Sequence, residues 1–363
     1  MSEGQTDVLS PAAFIPEPQP EFGHSLAAAI QAHYSPSLAQ LVPAHTLTRL
    51  ALLTGHLPQA LTAFWGFELP MNMAESSSDF LICLHQADVC HQVFQREPGL
   101  QAIIPEPLYS RLQALIRQWT DPADPTGQLI SNIWLEYDYD RMQAGQFHPS
   151  FFYGPKGNVH SLAVLMTSQQ IMTQLAPDGL PDGTYRMLAR CMTMLAVRGG
   201  VSQIGRMLAR AENSLRIFIQ QIPTQGILPY LHRIAYPHAD HPVLVAQLDC
   251  CYQFASTVDL DIDITSQVGG QLGLECYFAT TEQALFFLVN LVNQGLCRAD
   301  KYQLLHNHMQ QLSDTADEQW VPFFSHVKLG FHPEKGFNSK VYLGYVTPDM
   351  APFVIQTRPI ATP

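Results

Sequence analysis

The stretch VDLDIDI (258–264) decides the fold, because aliphatic and acidic residues alternate along its whole length. Successive side chains of a β-strand point to opposite faces, so residues of one parity share a face. One face of this strand is therefore aliphatic, and the other carries Asp259, Asp261 and Asp263. A strand of this kind needs an apolar layer on one side and a polar space on the other.

The same design occurs five times along the chain. In each copy, two stretches suited to strands are joined by a short connection, which makes them antiparallel neighbours. In most copies one parity is apolar and the other carries the polar and charged residues. The five pairs are 65–71 with 80–85, 134–140 with 150–153, 201–209 with 214–220, 258–264 with 273–278, and 326–332 with 340–346.

Helical sequence fills the gaps between the pairs, and this order predicts an α+β fold. We expect a closed, ten-stranded antiparallel β-barrel of five ααββ repeats with the helices outside. Helices would cover the apolar strand faces, so the polar faces would line a lumen that, in a barrel of about ten strands, has room to spare. We predict one domain over residues 23–346, a disordered or loosely docked arm over 1–22, and a tail over 347–363.

Composition limits the class of function. The 31 acidic and 19 basic residues give a net charge of −12, whereas phosphate groups of nucleic acids and anionic membranes attract clustered Lys and Arg. No apolar stretch reaches the roughly 18 residues that span a bilayer, and the N-terminus lacks the features of a secretory signal. The seven cysteines are odd in number and form no C-x-x-C motif, which indicates a reducing compartment. We expect a cytoplasmic protein that binds neither nucleic acid nor membrane.

The five repeats and three short motifs resemble the ABBA-type aromatic prenyltransferases, whose fold is called the prenyltransferase barrel. The resemblance covers nearly the whole chain. The segment GFEL (66–69) is similar to the family's first strand, which implies that Glu68 is the base that deprotonates the acceptor. The family often carries Lys-x-Tyr in the second strand of a repeat, where Lys binds diphosphate and Tyr shields an allylic cation. KVY (340–342) fits that pattern, and RIF (216–218) is similar to it.

The resemblance implies a transferase that passes an allylic group from an isoprenoid diphosphate to an aromatic molecule or a peptide side chain in the lumen. The side chains expected to bind the diphosphate are Arg216, Lys328, Lys340 and His326. The side chains expected to shield the carbocation are Phe218, Tyr277 and Tyr342.

The predicted lumen differs from the family in its acids. Glu275 stands where the fourth repeat of the family would carry a cation. A diphosphate brings about three negative charges, which need several cations or a metal to offset them. Carboxylate oxygens suit Mg²⁺, so Mg²⁺ is the one cofactor we consider, although alternating carboxylates on one strand are too far apart for all to hold one ion. The lumen acids that would suit a cationic group instead are Glu136, Asp138, Asp261 and Glu275.

Three functions therefore remain open: prenyl transfer, a barrel without diphosphate chemistry that binds or modifies an Arg- or Lys-containing peptide in natural-product biosynthesis, and a non-enzymatic binding protein for such a peptide. The pairing of the cations separates them. Three or more cations that converge on one unpaired point would favour prenyl transfer. Pairing of Arg216 and Lys340 with Glu275 and the acids of repeat 4 would favour the peptide-binding alternatives.

Overall fold

The computed structural model describes residues 23–74, 78–84, 87–141, 147–156, 162–195, 199–208, 210, 213–312 and 319–352. The predicted N-terminal arm and most of the predicted tail lie outside the described residues. His85, the last residue of the second predicted strand, lies outside them as well.

Ten antiparallel strands form a closed barrel, as the sequence predicted. Each strand pairs with its neighbours in chain order, and β1 pairs with β10 to close the sheet. The strands are β1 Phe64–Pro70, β2 Asp79–Leu84, β3 Ile130–Tyr137, β4 Ser150–Pro155, β5 Gly200–Arg206, β6 Leu215–Gln220, β7 Thr257–Ile264, β8 Val268–Tyr277, β9 Val321–His332 and β10 Gly336–Val346.

Helices lie between the strand pairs and pack on the outside of the barrel, which confirms the ααββ repeat. The first two repeats carry more than two helices each. In the described part of the chain the helices are α1 Leu26–Ala32, α2 Pro36–Leu41, α3 Ala44–Thr54, α4 Ala87–Arg96, α5 Pro98–Ile103, α6 Leu108–Thr120, α7 Pro125–Gln128, α8 Leu162–Leu175, α9 Thr184–Thr193, α10 Ile227–Arg233, α11 Pro242–Phe254, α12 Thr281–Asn293 and α13 Ala299–Leu312.

Short polar side chains cap the first turn of some of the helices. Ser35 accepts a hydrogen bond from the amide of Leu38 at the start of α2, and Thr280 does the same for Gln283 at the start of α12. Such caps satisfy amides that have no partner inside the helix. Among the described residues, no helix combines the length and the apolar character that crossing a membrane requires.

The two faces of each strand separate the core from the lumen. The aliphatic residues of β7 are almost fully buried beneath the helices, whereas Asp261 and Asp263 face the lumen. Burial of one aliphatic side chain stabilises the fold by about 1.5–3 kcal/mol, so the outer face of the barrel supplies much of its stability. The lumen face is therefore free to carry charge.

Several strands differ in extent from the prediction. β3, β8 and β10 begin at Ile130, Val268 and Gly336 rather than at 134, 273 and 340, and β3 ends at Tyr137 rather than at 140, so Asp138 follows the strand. β9 begins at Val321 rather than at 326, because a bulge opposite Tyr342 and Leu343 shifts the register and breaks the alternation that the sequence would show. β5 ends at Arg206 rather than at 209. Arg206 donates a hydrogen bond to Asn213, whose side-chain oxygen is 2.6 Å away, while its neighbour Gly205 lies under the ring of Phe152.

Candidate active site

A cavity of about 1000 Å³ opens at one end of the lumen. Its lining includes Met73 and Lys335, which lie in the β1–β2 and β9–β10 connections, so the mouth is at the end where the paired strands turn. Acids exceed the lysines and arginines in this lining. The acids are Glu68, Asp79, Glu136, Asp138, Asp140, Asp261 and Asp263, and the cations are Arg210, Arg216, Lys328, Lys335 and Lys340.

Aromatic rings pack in the other half of the lumen. The ring centroid of Phe64 is 5.0 Å from that of Trp134 and 5.7 Å from that of Phe323. These rings lie over Gly344, where an added Cβ would come within 2.9 Å of the Phe64 and Phe323 side chains. None of the three rings lines the cavity. A ligand therefore meets the charged half first.

Glu68 on β1 is held by two neighbours on β10. The Lys340 ammonium donates to one of its carboxylate oxygens and the Tyr342 hydroxyl donates to the other. Burial would raise the pKa of Glu68, but the charges of Lys340 and Lys328 and these two hydrogen bonds outweigh burial and hold the pKa well below its ordinary value. Glu68 is thus an ion-paired carboxylate.

A second group of ion pairs joins β6, β7, β8 and β9. The Arg216 guanidinium donates to both oxygens of Asp263 at 2.9 and 2.8 Å and lies 3.2 Å from Asp261. The Lys328 ammonium contacts Asp261 and is 3.5 Å from Glu275. Arg216 lies directly opposite Asp263, and Lys328 directly opposite Glu275, in the strand register. Neighbouring strands thus place opposite charges side by side.

Two lumen residues were missed by the sequence analysis. Arg210, in the β5–β6 connection, donates to both oxygens of Asp138 at 2.7 and 2.9 Å. Asp79 is the first residue of β2 and lies 3.7 Å from the Lys340 ammonium. The sequence could have indicated Asp79, because it shares the alternation of Leu81 and Cys83, whose side chains face the lumen. It could not have indicated Arg210, because no pattern shows which residues of a connection turn inward. Burial and then the charge of Glu68 raise the pKa of Asp79 to about 7.

Glu136 on β3 differs from the other predicted acids. Its carboxyl group lines the cavity and, among the described residues, forms no hydrogen bond and no contact ion pair, although its backbone pairs with β2 and β4. Burial and then the charge of Glu68 raise its pKa to about 8, against the attraction of Lys328 and Arg216. A carboxyl group of this kind is partly protonated near neutral pH and has its hydrogen-bonding capacity open to a ligand.

The predicted aromatic shield lies beside the cavity. The rings of His326 and Tyr342 stack with centroids 4.1 Å apart, and the Tyr277 ring is 4.7 Å from His326. The Tyr277 hydroxyl donates to Glu275 at 2.9 Å, and the Lys328 ammonium lies over the Phe218 ring at 5.2 Å.

The twelve predicted site residues thus fall into two sets. Those that line the cavity are Glu68, Glu136, Asp138, Arg216, Asp261, Lys328 and Lys340. Those that lie outside its lining are Phe218, Glu275, Tyr277, His326 and Tyr342.

The charge arrangement answers the question that the sequence left open about the cations. Arg216, Lys328 and Lys340 each contact at least one carboxylate, and they do not converge on an unpaired point. Arg216 pairs with the acids of repeat 4, as that criterion required, whereas Lys340 pairs with acids of repeat 1 and not with Glu275. Among the described residues, no group of three or more His, Cys, Asp or Glu side chains is placed to hold a metal ion. Of the alternating carboxylates considered for Mg²⁺, Asp261 and Asp263 are paired with Arg216 and Lys328, and Asp259 accepts a hydrogen bond from the Gln221 amide at 3.3 Å.

Comparison with known proteins identifies the fold. No protein-family model and no curated protein matches the sequence. Among solved structures, AnaPT from Neosartorya fischeri is 12% identical with a TM-score of 0.56, over 93% of this chain and 96% of that chain. The apo form of prenyltransferase PriB is 11% identical with a TM-score of 0.54, over 90% of this chain and 97% of that chain. PriB in complex with product diphosphate gives a TM-score of 0.52. The chain has the fold of the ABBA-type prenyltransferases.

Proposed function

We propose that this ABBA-type barrel binds a substrate with a positively charged nitrogen, such as the guanidinium or ammonium group of an Arg- or Lys-containing peptide, and alkylates it with an allylic group from an isoprenoid diphosphate. The observation that carries the proposal is Glu136. Its carboxyl group lines the cavity and, among the described residues, has no hydrogen-bonding partner and no contact ion pair, although the charges of Lys328 and Arg216 attract it.

The charge of the cavity favours a cationic ligand. Each of Arg216, Lys328 and Lys340 is already paired, so an entering cation would not have to displace any of them to reach Glu136. Two unit charges 4 Å apart attract by about 4 kcal/mol at an effective dielectric constant of 20. A guanidinium group would gain most, because its planar donors match a carboxylate in a bidentate pair.

The diphosphate donor would have to share cations with the carboxylates. Lys340 is the accessible candidate, since its side chain is 30% exposed at the cavity while Lys328 is 13% exposed. A donor that binds Lys340 would weaken its contacts with Glu68 and Asp79. Protonation of Asp79, whose pKa is already raised to about 7, would limit the repulsion between that carboxyl group and the diphosphate. Mg²⁺ stays a prediction for this step.

A second candidate is a protein that binds the cationic ligand without alkylating it. The pairing of the predicted diphosphate ligands favours this candidate, because an anion must break buried ion pairs to enter. Both candidates share the cationic ligand and differ in the donor. A separate titration of each ligand therefore distinguishes them.

The test is isothermal titration calorimetry with matched probes. We expect N-acetylarginine amide to bind, with an affinity that falls as salt is added, and the neutral isostere N-acetylcitrulline amide to bind at least tenfold more weakly. Equal binding of the two probes would refute the cationic substrate. Dimethylallyl and geranyl diphosphates are then titrated with and without Mg²⁺, and the mixture is searched by mass spectrometry for the alkylated amide. Heat of binding with a diphosphate together with an alkylated amide supports transfer. If no diphosphate gives heat of binding, the candidate that binds the cationic ligand without alkylating it is supported.

A further inference from the structure

We infer that Glu136, and not Glu68, accepts the proton that the substrate nitrogen loses. This inference rests on the proposed function, because it assigns the base of that reaction. The fold resemblance points to Glu68 on β1, and the geometry points across β2 to Glu136 on β3.

Glu68 is already occupied. One of its carboxylate oxygens accepts from the Lys340 ammonium and the other from the Tyr342 hydroxyl, so both oxygens have a donor before any ligand enters. A base must reach the proton it removes within hydrogen-bond distance. Glu68 would first have to exchange a charged partner for the substrate, and the same contacts hold its pKa well below the neutral range.

Glu136 meets both requirements that Glu68 fails. Its carboxyl group lines the cavity, and among the described residues nothing donates to it. Its pKa of about 8, raised by burial and then by Glu68, lies close to a neutral working pH, where a general base is most effective. The charged groups whose fields it feels are Glu68 on β1, Asp138 directly after β3, Arg216 on β6 and Lys328 on β9.

The reaction transfers the allylic group to the nitrogen and releases diphosphate and one proton. A positively charged nitrogen must lose one N–H proton to free an electron pair. That pair forms a bond to the allylic carbon, while the bond from the carbon to the diphosphate oxygen breaks and its electrons leave with the diphosphate. The N–H proton passes to the Glu136 carboxylate and from there to water. The entering cation itself favours the ionised form of Glu136, so substrate binding prepares the base.

The direct test needs no turnover. The carboxyl carbons of ¹³C-labelled glutamate are followed by NMR from pH 4 to pH 10 in the wild type, in Glu136→Gln and in Glu68→Gln, and each resonance is assigned by its loss in one variant. We expect the chemical shift of the Glu136 carboxyl carbon to titrate with a midpoint within about one unit of pH 8. The shift of the Glu68 carboxyl carbon should stay at the value of an ionised carboxylate over the whole range. A Glu68 resonance that titrates near neutral pH, or a Glu136 resonance that does not, would overturn the inference.

Kinetics supply the second test. Glu136→Gln should lower kcat for the alkylation by about 100-fold or more, the usual contribution of a general base, and should abolish the rise of kcat/KM with pH through 8. Glu68→Gln should keep that pH profile even where it raises KM. If the profile instead disappears in Glu68→Gln, Glu68 is the base. A failure of the proposed function appears separately, as equal binding of the arginine and citrulline probes, and leaves the NMR result interpretable.

Discussion

The two halves of the lumen are built from the same strands, but one is packed with aromatic rings and the other is an open cavity lined by charged side chains. β1 contributes Phe64 to the packed aromatic half and Glu68 to the open charged half, and β10 contributes Gly344 to the first and Lys340 to the second. The parity of a residue therefore decides whether it enters the lumen, and its depth along the strand decides which half it joins. The aromatic half resembles a protein core, whereas the charged half is open to a ligand.

The largest effect on stability should come from the packed half. Phe64→Ala removes the ring that contacts Trp134 and Phe323 and leaves a cavity, so we expect the free energy of unfolding to fall by about 3–5 kcal/mol. Urea denaturation measures it. The control is Phe286→Ala on the outer surface, where the ring is 68% exposed and the loss should stay within about 0.5 kcal/mol. Equal losses in the two variants would show that the rings are not a core.

Removal of a cation from the charged half should have the next largest effect. Arg216→Met leaves Asp261 and Asp263 without their guanidinium partner. Loss of one partner from a buried ion pair costs about 3–5 kcal/mol, and access of water to the open cavity should reduce this to about 2–3 kcal/mol. Urea denaturation again reports the loss, and Arg298→Ala, which breaks an exposed pair with Asp300, should leave the midpoint unchanged. A neutral result for Arg216→Met would mean that the ion pairs do not hold the charged half together.

The pH dependence of stability should separate Glu136 from Glu68. Glu136 has a raised pKa in the folded state, so its stabilising contribution is present below its unfolded pKa and is lost as the pH rises through about 8. Glu68 has a lowered pKa, so its contribution is present above its unfolded pKa and is lost as the pH falls through the folded value.

Denaturation curves across pH test this contrast. Above pH 8, Glu136→Gln should be more stable than the wild type by roughly 2 kcal/mol, a value discounted for water in the cavity. The wild type must hold an ionised Glu136 in a buried position near Glu68, whereas the amide stays neutral. Glu68→Gln should be less stable than the wild type at the same pH. Curves for the two variants that shift in the same direction would contradict the difference between the two carboxyl groups.

The smallest effect should occur at the mouth. Asp138→Asn weakens the pair with Arg210, whose side chains are 13% and 27% exposed, so we expect a loss of about 1 kcal/mol or less. Thermal denaturation in low salt and in 1 M salt measures it, and the loss should shrink in high salt because salt enters the mouth and screens this partly exposed pair. The matched control is Asp249→Asn on the exposed face of α11, which should show no salt dependence.

The strand faces and the strand pairs could be predicted from the sequence because both follow from a period of two residues. Parity alone placed Glu68, Arg216, Lys328 and Lys340 in the lumen. The partner of each charge could not be predicted, since it depends on register. Parity does not indicate that Arg216 lies opposite Asp263, and the same residues in another register would form other pairs.

Depth along the strand was the other missing information. Phe218, Tyr277 and Tyr342 share the predicted lumen face but lie outside the cavity lining, because the aromatic half is packed. The position of Arg210 in the lumen could not be predicted for a different reason. Arg210 lies in a connection after a strand, where no periodicity constrains the direction of a side chain. That the Glu136 carboxyl group has no contact partner among the described residues likewise depends on every strand around it, and no local pattern encodes it.

The most direct test of the central claim, that the lumen binds a cation through Glu136, is the affinity for N-acetylarginine amide measured by calorimetry at pH 8.5 in low salt. The proteins compared are the wild type, Glu136→Gln and the matched surface control Glu282→Gln, whose exposed glutamate lies in the first turn of α12. We predict that Glu136→Gln weakens binding at least tenfold while Glu282→Gln binds like the wild type. Equal dissociation constants for the wild type and Glu136→Gln would contradict the claim.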